Sequence, residues 1–236
     1  MSRISLSPST LLAPVPVVMV SCAGKDPRKI ETRPNIVTVA WAGTINSEPP
    51  MVSISVRKSR HSHQLICDTQ EFVINLVSEK LAKACDFCGV RGGDKYDKFE
   101  EMKLHPVEME NLRYAPAIEE SPLSLGCVVK DIIELGSHDM FLAEIVSIAA
   151  DPALMDKNGK LCLDKAKLIS FSHGEYFKTG EKMGFFGYSV ASKAAMKRRM
   201  PGKTVKKKEA GKSSVKKERS AKSDPTKKSV KTGKKK

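Results

Sequence analysis

The first regular pattern along the chain is an almost unbroken apolar run over residues 15–22, Val-Pro-Val-Val-Met-Val-Ser-Cys. Bounded by polar segments, it predicts a buried strand over residues 16–21. Residues 35–44 read Asn-Ile-Val-Thr-Val-Ala-Trp-Ala-Gly-Thr, rich in β-branched side chains, and predict a second strand. Ser47-Glu-Pro-Pro50 predicts a turn, because consecutive prolines donate nothing to a ladder. Residues 51–56 alternate Met/Ser with Val/Ile, the period of a strand with one aliphatic face and one face of small hydroxyls.

After that strand a short helix is expected to be capped by Ser59 and to end at Asp68 and Thr69. Residues 71–77 predict a strand and residues 79–87 a helix. Gly89 to Gly93 make a loop, followed by the charged run 94–99. Residues 124–135 and 140–150 predict two long strands joined by Gly136-Ser-His-Asp139 as a hairpin turn. Strands outnumber helices and follow one another without regular crossovers. That order predicts a mainly β chain, an antiparallel barrel or sandwich rather than a doubly wound sheet. No Gly-x-Gly-x-x-Gly follows a strand, so the sequence does not support a Rossmann nucleotide site.

Charge divides the chain. The formal net charge is +14, yet residues 193–236 hold 19 basic against three acidic residues, a balance of +16. Residues 1–192 hold 22 against 24, a balance of −2. The body is therefore read as one near-neutral domain of 192 residues, too neutral for a basic nucleic-acid-binding fold. The Lys-rich tail lacks aromatics and is expected to be a disordered arm with generic attraction to polyanions, nucleic acid included. No apolar run approaches the ~20 residues needed to span a bilayer. Residues 11–23 are interrupted by Pro14 and Pro16 and follow a single charge, Arg3, so a buried strand is expected there rather than an export leader. The six cysteines form no dense framework and are expected as reduced thiols in a cytoplasmic protein. Cys85 and Cys88 have no second CxxC and no His at finger spacing, which favours packing over a metal.

One segment carries candidate chemistry. Arg57-Lys-Ser-Arg-His-Ser-His63 sets three cations and two hydroxyls at a predicted helix start, where unpaired N–H groups favour an anion such as phosphate. Read alone, it fits a solvated basic turn with an ordinary serine cap better. The pieces around it are more specific: Pro16-Val-Val, Asn35-Ile-Val-Thr-Val-Ala-Trp41, Ser47-Glu-Pro-Pro50, Val52-Ser-Ile-Ser-Val-Arg57, Ser59-Arg-His-Ser62, Glu71-Phe-Val-Ile-Asn75, Cys88-Gly89 and Asp97-Lys98-Phe99. In this order and spacing the chain resembles the flavoredoxin and flavin-reductase family, over residues 14–99 and more loosely to about Gly187.

That resemblance implies an FMN-binding split β-barrel, a Greek-key antiparallel barrel with a few flanking helices. It implies FMN contacts at Asn35, Thr38, Val39, Ala40 and Trp41. It also implies a phosphate cradle from Arg57, Ser59, Arg60 and Ser62, and further contacts at Lys98, His138 and Phe171. Lys98 or His138 would supply positive charge that favours reduced, anionic flavin. Family members often carry Ser-Gly where this chain has Gly92-Gly93, so one hydroxyl contact would be absent. The implied activity is NAD(P)H:flavin oxidoreduction with bound FMN, NADH or NADPH as electron donor and no side-chain acid, base or nucleophile. The implied assembly is a homodimer. Two other readings compete: a non-enzymatic flavoredoxin-like carrier reduced by a redox protein, and a polyanion-binding protein acting through its tail.

Overall fold

The computed structural model describes residues 3–200. Of the expected disordered arm, residues 193–236, the part from residue 201 onward lies outside the described residues, while Lys193–Arg199 is helical. The chain divides into two units, the first ending at Lys182 and the second beginning at Met183. In the second, α-helix Lys193–Arg199 is capped by the Ser192 hydroxyl, and the Arg199 guanidinium lies 4.3 Å from the centre of the Phe185 ring.

The first unit is built on a seven-stranded antiparallel sheet. Its strands are β2 (Val18–Cys22), β3 (Asn35–Val39), β4 (Ala42–Ser47), β5 (Pro50–Val56), β6 (Glu71–Leu76), β9 (Leu123–Glu134) and β10 (Asp139–Ala150). Two small sheets flank it. One pairs β1 (Val15–Pro16) with β11 (Ile169–Ser172) and β12 (Glu175–Lys178), and the other pairs β7 (Pro106–Val107) with β8 (Ala117–Ile118). Three helices complete the unit: α1 (His61–Thr69), α2 (Ala82–Val90) and α3 (Lys98–Met102).

The strand order is β3-β2-β6-β9-β10-β5-β4, so two strands adjacent in sequence form opposite edges. The link from Val39 to Ala42 is three Cα steps, which reach at most about 11 Å. A flat sheet of seven strands would part its edges by far more, at nearly 5 Å per strand. The sheet must therefore curl until β3 and β5 meet, and residues of the two strands are in contact. The result is a split barrel with its seam at Ala40–Trp41. Register shifts in β10 after Leu142 and after Ile145 help it bend.

Alternation explains which side chains go inward. Val52, Ile54 and Val56 are buried inside the barrel, while Ser53 and Ser55 face the other way, as the sequence period requires. Strand β2 is buried throughout. Val18, Val20 and Cys22 join the barrel interior, whereas Met19 joins a second core with Ile36, Cys85, Cys88, Phe99 and Ile118. Two-sided burial is why its sequence reads as a continuous apolar run. Asn75 is wholly buried and fully partnered. Its Nδ2 donates to Met19 O (3.0 Å) and Ser21 Oγ (2.8 Å), and its Oδ1 accepts from Ile118 N and Ser124 Oγ.

Several expectations are corrected. The run 15–22 is two strands, because Pro16 offers no N–H to continue a ladder and the chain changes sheets at Val17. The run 35–44 is likewise two strands, broken where the chain crosses the seam. Ser59 does not cap α1. Arg60 occupies that position, and no side chain accepts there. The second helix opens with a 3₁₀ turn at Glu79–Leu81 and runs to Val90. Among the described residues no helix is long and apolar enough to cross a membrane. All six cysteines are free thiols.

Candidate functional site

The seam exposes the chain's only Trp. Trp41 is 45% exposed, an unusual state for a large aromatic on a barrel wall. Its carbonyl accepts from Ser55 N at 2.9 Å, which fixes the crossing against β5. Beside it lies a cleft of about 420 Å³, lined by Ala40, Trp41, Ala42, Gly43, Ser53 and Ser55 together with Thr10, Leu12 and Val15. A second cavity of about 330 Å³ adjoins it across Trp41 and includes Phe171. Phe171 itself is held by the pairing of β11 with β1, opposite Val15.

Strand β5 leaves the cleft at Ser55 and leads directly into the basic turn. Arg57, Lys58, Ser59 and Arg60 are all exposed. Lys58 is committed: its Nζ lies 2.7 Å from Glu134 Oε2 and 3.5 Å from Asp139 Oδ1. Arg57 and Arg60 form no ion pair among the described residues. Helix α1 follows at once, so its first free N–H groups share this corner with the two guanidinium groups.

His138 ties the hairpin turn to the seam. Its ring packs on Trp41 with centroids 4.5 Å apart, and its Nδ1 lies 2.9 Å from Ser137 Oγ. Burial first, and Arg57 second, hold its imidazole below the ordinary value. Both effects disfavour a positive charge on this ring.

Four of the expected site residues form a packed layer beneath this surface. Ser62 is buried, and its Oγ accepts from Asn35 Nδ2 at 2.7 Å. The Thr38 hydroxyl donates to the Cys85 carbonyl of α2. Lys98 is only 2% exposed, and its Nζ donates to Ile36 O (2.6 Å) and Cys88 O (2.8 Å). Burial holds its ammonium down at about 8, against an opposing pull from Cys88. Lys98 thus staples β3 to α2 from inside. Val39 points into the barrel core.

Two features had no readable signal. His63, for which the sequence names no partner, meets Asp139 across 76 positions, Nε2 to Oδ2 at 2.8 Å. Asp139 is 4% exposed, and Cys67 Sγ lies 3.8 Å from His63 Nδ1. The pair locks α1 to the hairpin that carries His138. Gly93 is the second: a Cβ there would sit 2.3 Å from Asn35 Oδ1, so the loop after α2 closes on Asn35 only as glycine. Cys85 and Cys88 lie in the second core, and burial pushes their thiols up to about 12 and about 11. That suits packing rather than thiolate chemistry.

The surface that remains offers an apolar cleft with an exposed ring at one end and two unpaired guanidinium groups at a helix start at the other. It suits a ligand that is flat at one end and anionic at the other. Comparison with known proteins gives the family. A flavoredoxin of Desulfovibrio vulgaris (Miyazaki F) superposes with a TM-score of 0.73 at 28% identity, covering 80% of this chain and all of that one. An uncharacterized protein of Archaeoglobus fulgidus is 29% identical over 153 residues, 65% of this chain and 85% of the relative. The NADH:riboflavin 5'-phosphate oxidoreductase of Streptomyces pristinaespiralis is 25% identical over 145 residues, 61% of this chain and 74% of the relative. The family model for the flavin reductase like domain matches residues 11–163, taking in the seam, the basic turn and the hairpin, and the chain belongs to that family.

Proposed function

We propose that the chain binds FMN at the seam and acts as an NAD(P)H-dependent flavin reductase. The observation that carries this reading is the continuity of the Trp41 cleft with the Arg57–Arg60 corner along one strand, β5. Both ends of FMN find suitable groups there. The ring lies against Trp41 and the backbone of Ala40 to Gly43. The phosphate is held by Arg57, Arg60, the Ser59 hydroxyl and the first N–H groups of α1. Bound flavin supplies the hydride and electron chemistry.

The chain's own residues orient and tune. Asn35 holds Ser62 and so the start of α1. Thr38 and Lys98 fix β3 against α2 behind the ring seat. His138 packs on Trp41 and closes one side. The Arg57 guanidinium is the cation nearest that side and favours the anionic reduced form electrostatically. No side chain needs to transfer a proton for hydride to reach the ring. A homodimer in the cytoplasm, with NADH or NADPH as donor, completes the proposal.

The named activity of the Streptomyces relative supports the enzymatic reading, while the name of the Desulfovibrio structure supports a carrier reduced by another redox protein. Two measurements decide. FMN titrated into the purified apoprotein is expected to bind at one per chain with a shifted absorption spectrum, and no uptake overturns the proposal. Anaerobic mixing of the loaded protein with NADH or NADPH is expected to bleach the flavin rapidly, and inertness to both assigns the carrier role instead.

A further inference from the structure

The segment before β1 lies outside the hydrophobic cores. Residues 3–13 form neither helix nor strand, and every one of them is exposed. A single backbone hydrogen bond is made within them, from Leu11 N to Ser9 O at 3.0 Å. Yet residues 4–13 bear no charged side chain and include Ile4, Leu6, Leu11 and Leu12. Leu12 is 86% exposed and Leu11 48%. Aliphatic surface left in water beside a cleft is surface that a ligand can cover. The far end of the segment is fixed, because Val15 pairs with Phe171 in the β1–β11 ladder. Leu12, three Cα steps away, stays within about 11 Å of that anchor. The segment therefore walls the seam. Both hollows beside Trp41 are lined by Thr10, Leu12 and Val15, so they form one gap with the barrel on one side and this segment on the other.

We propose that residues 3–13 are a cover hinged at Val15, which lays Leu11 and Leu12 on the ring of flavin seated at the seam. The cover rests on the flavin reading above and supplies what closes the open side of the seat. The chemistry of the segment fits this occupant. An uncharged aliphatic stretch covers an apolar ring and offers nothing to a phosphate, which keeps the basic corner at Arg57 and Arg60. Closure breaks no ladder, since the segment belongs to none. A ring held from both sides stays longer, so the segment acts on the release of flavin more than on its arrival.

Chymotrypsin, which cuts exposed and unstructured chain after leucine, reads the cover directly. In the full-length apoprotein, cleavage after Leu11 or Leu12, followed by fragment mass, is expected to slow at least tenfold on saturation with FMN. Leu11→Ser together with Leu12→Ser, in a segment outside the cores, is expected to leave the circular dichroism spectrum unchanged and to speed FMN release at least tenfold in stopped flow. Riboflavin, which lacks the phosphate, is expected to leave the variant faster by a similar factor. Uptake of FMN without protection of Leu11 and Leu12, release from the variant at the wild-type rate, or faster release of FMN but not of riboflavin would each overturn the cover and leave the flavin reading standing. Protection that follows protein concentration and ignores FMN would also overturn it, and would give the leucines to a second copy of the chain. No uptake of FMN by the wild type would sink the flavin reading and the cover with it.

Discussion

Replacing Lys98 by Met tests whether the buried ammonium staples β3 to α2 at an electrostatic cost. Burial lowers the group from its ordinary 10.5 to about 8 in the folded protein. Between these values the unfolded chain still holds a proton that the folded chain has released. Raising the pH through that window therefore favours the folded state, and the charge penalty is fully present below about pH 8. A shift of this size corresponds to about 3 kcal/mol over the whole window, at 1.36 kcal/mol per unit. About 2 kcal/mol of it falls between roughly pH 7.5 and 9.5. Other groups oppose the trend: Cys22, Cys85 and Cys127, pushed up to about 12, remove stability as pH rises past the free-thiol range. They are common to both proteins, so the informative quantity is the difference. Urea unfolding of wild type and Lys98→Met across that range is expected to show wild type gaining about 2 kcal/mol on the variant. A difference flat to within about 0.5 kcal/mol, near the error of such measurements, would refute a buried, depressed Lys98.

Asp139→Ala leaves the His63 ring N–H without its acceptor and is expected to cost about 1–3 kcal/mol in urea unfolding, the penalty for an unpartnered, largely buried polar group. Gly93→Ala drives a methyl onto the Asn35 amide and is expected to cost about 1–3 kcal/mol, with weakened FMN uptake in an absorbance titration. Trp41→Ala removes an exposed ring, so its melting temperature is expected to stay close to wild type. Its FMN dissociation constant is expected to rise about tenfold, read by flavin fluorescence, as a lost aromatic stack of about 1.4 kcal/mol implies. Raising ionic strength is expected to weaken FMN binding, and substitution of both Arg57 and Arg60 by Gln should abolish that salt dependence.

Much of the barrel was legible because its signals are local. The Met-Val-Ser-Ile-Ser-Val alternation of β5, the hairpin at Gly136 and the two long strands around it all appear where the residue pattern places them. The breaks at Val17 and at Ala40–Trp41 were not legible, because apolar runs look alike whether a strand continues or changes sheets. Only the strand order shows that β3 and β4 are opposite edges. Within the site, Trp41, Arg57 and Arg60 could be singled out by residue type and by order along the chain. The burial of Lys98 could not, because the run Asp94-Lys-Tyr-Asp-Lys98 has the composition of a solvated surface. Nor could the His63–Asp139 pair, whose members meet only after the barrel has closed.

The seam has a consequence for how such a protein responds to its ligand. A closed barrel satisfies every strand edge, whereas here β3 and β4 each end a ladder beside the residues that cross between them. On the proposed reading the ring seats against that interruption and stands in for missing rungs, so loading works as a clasp on an unfinished cylinder. Amide exchange at Thr38 to Gly43 should then slow on addition of FMN far more than in β6 or β9, which sit mid-sheet. The ligand becomes the last piece of the wall.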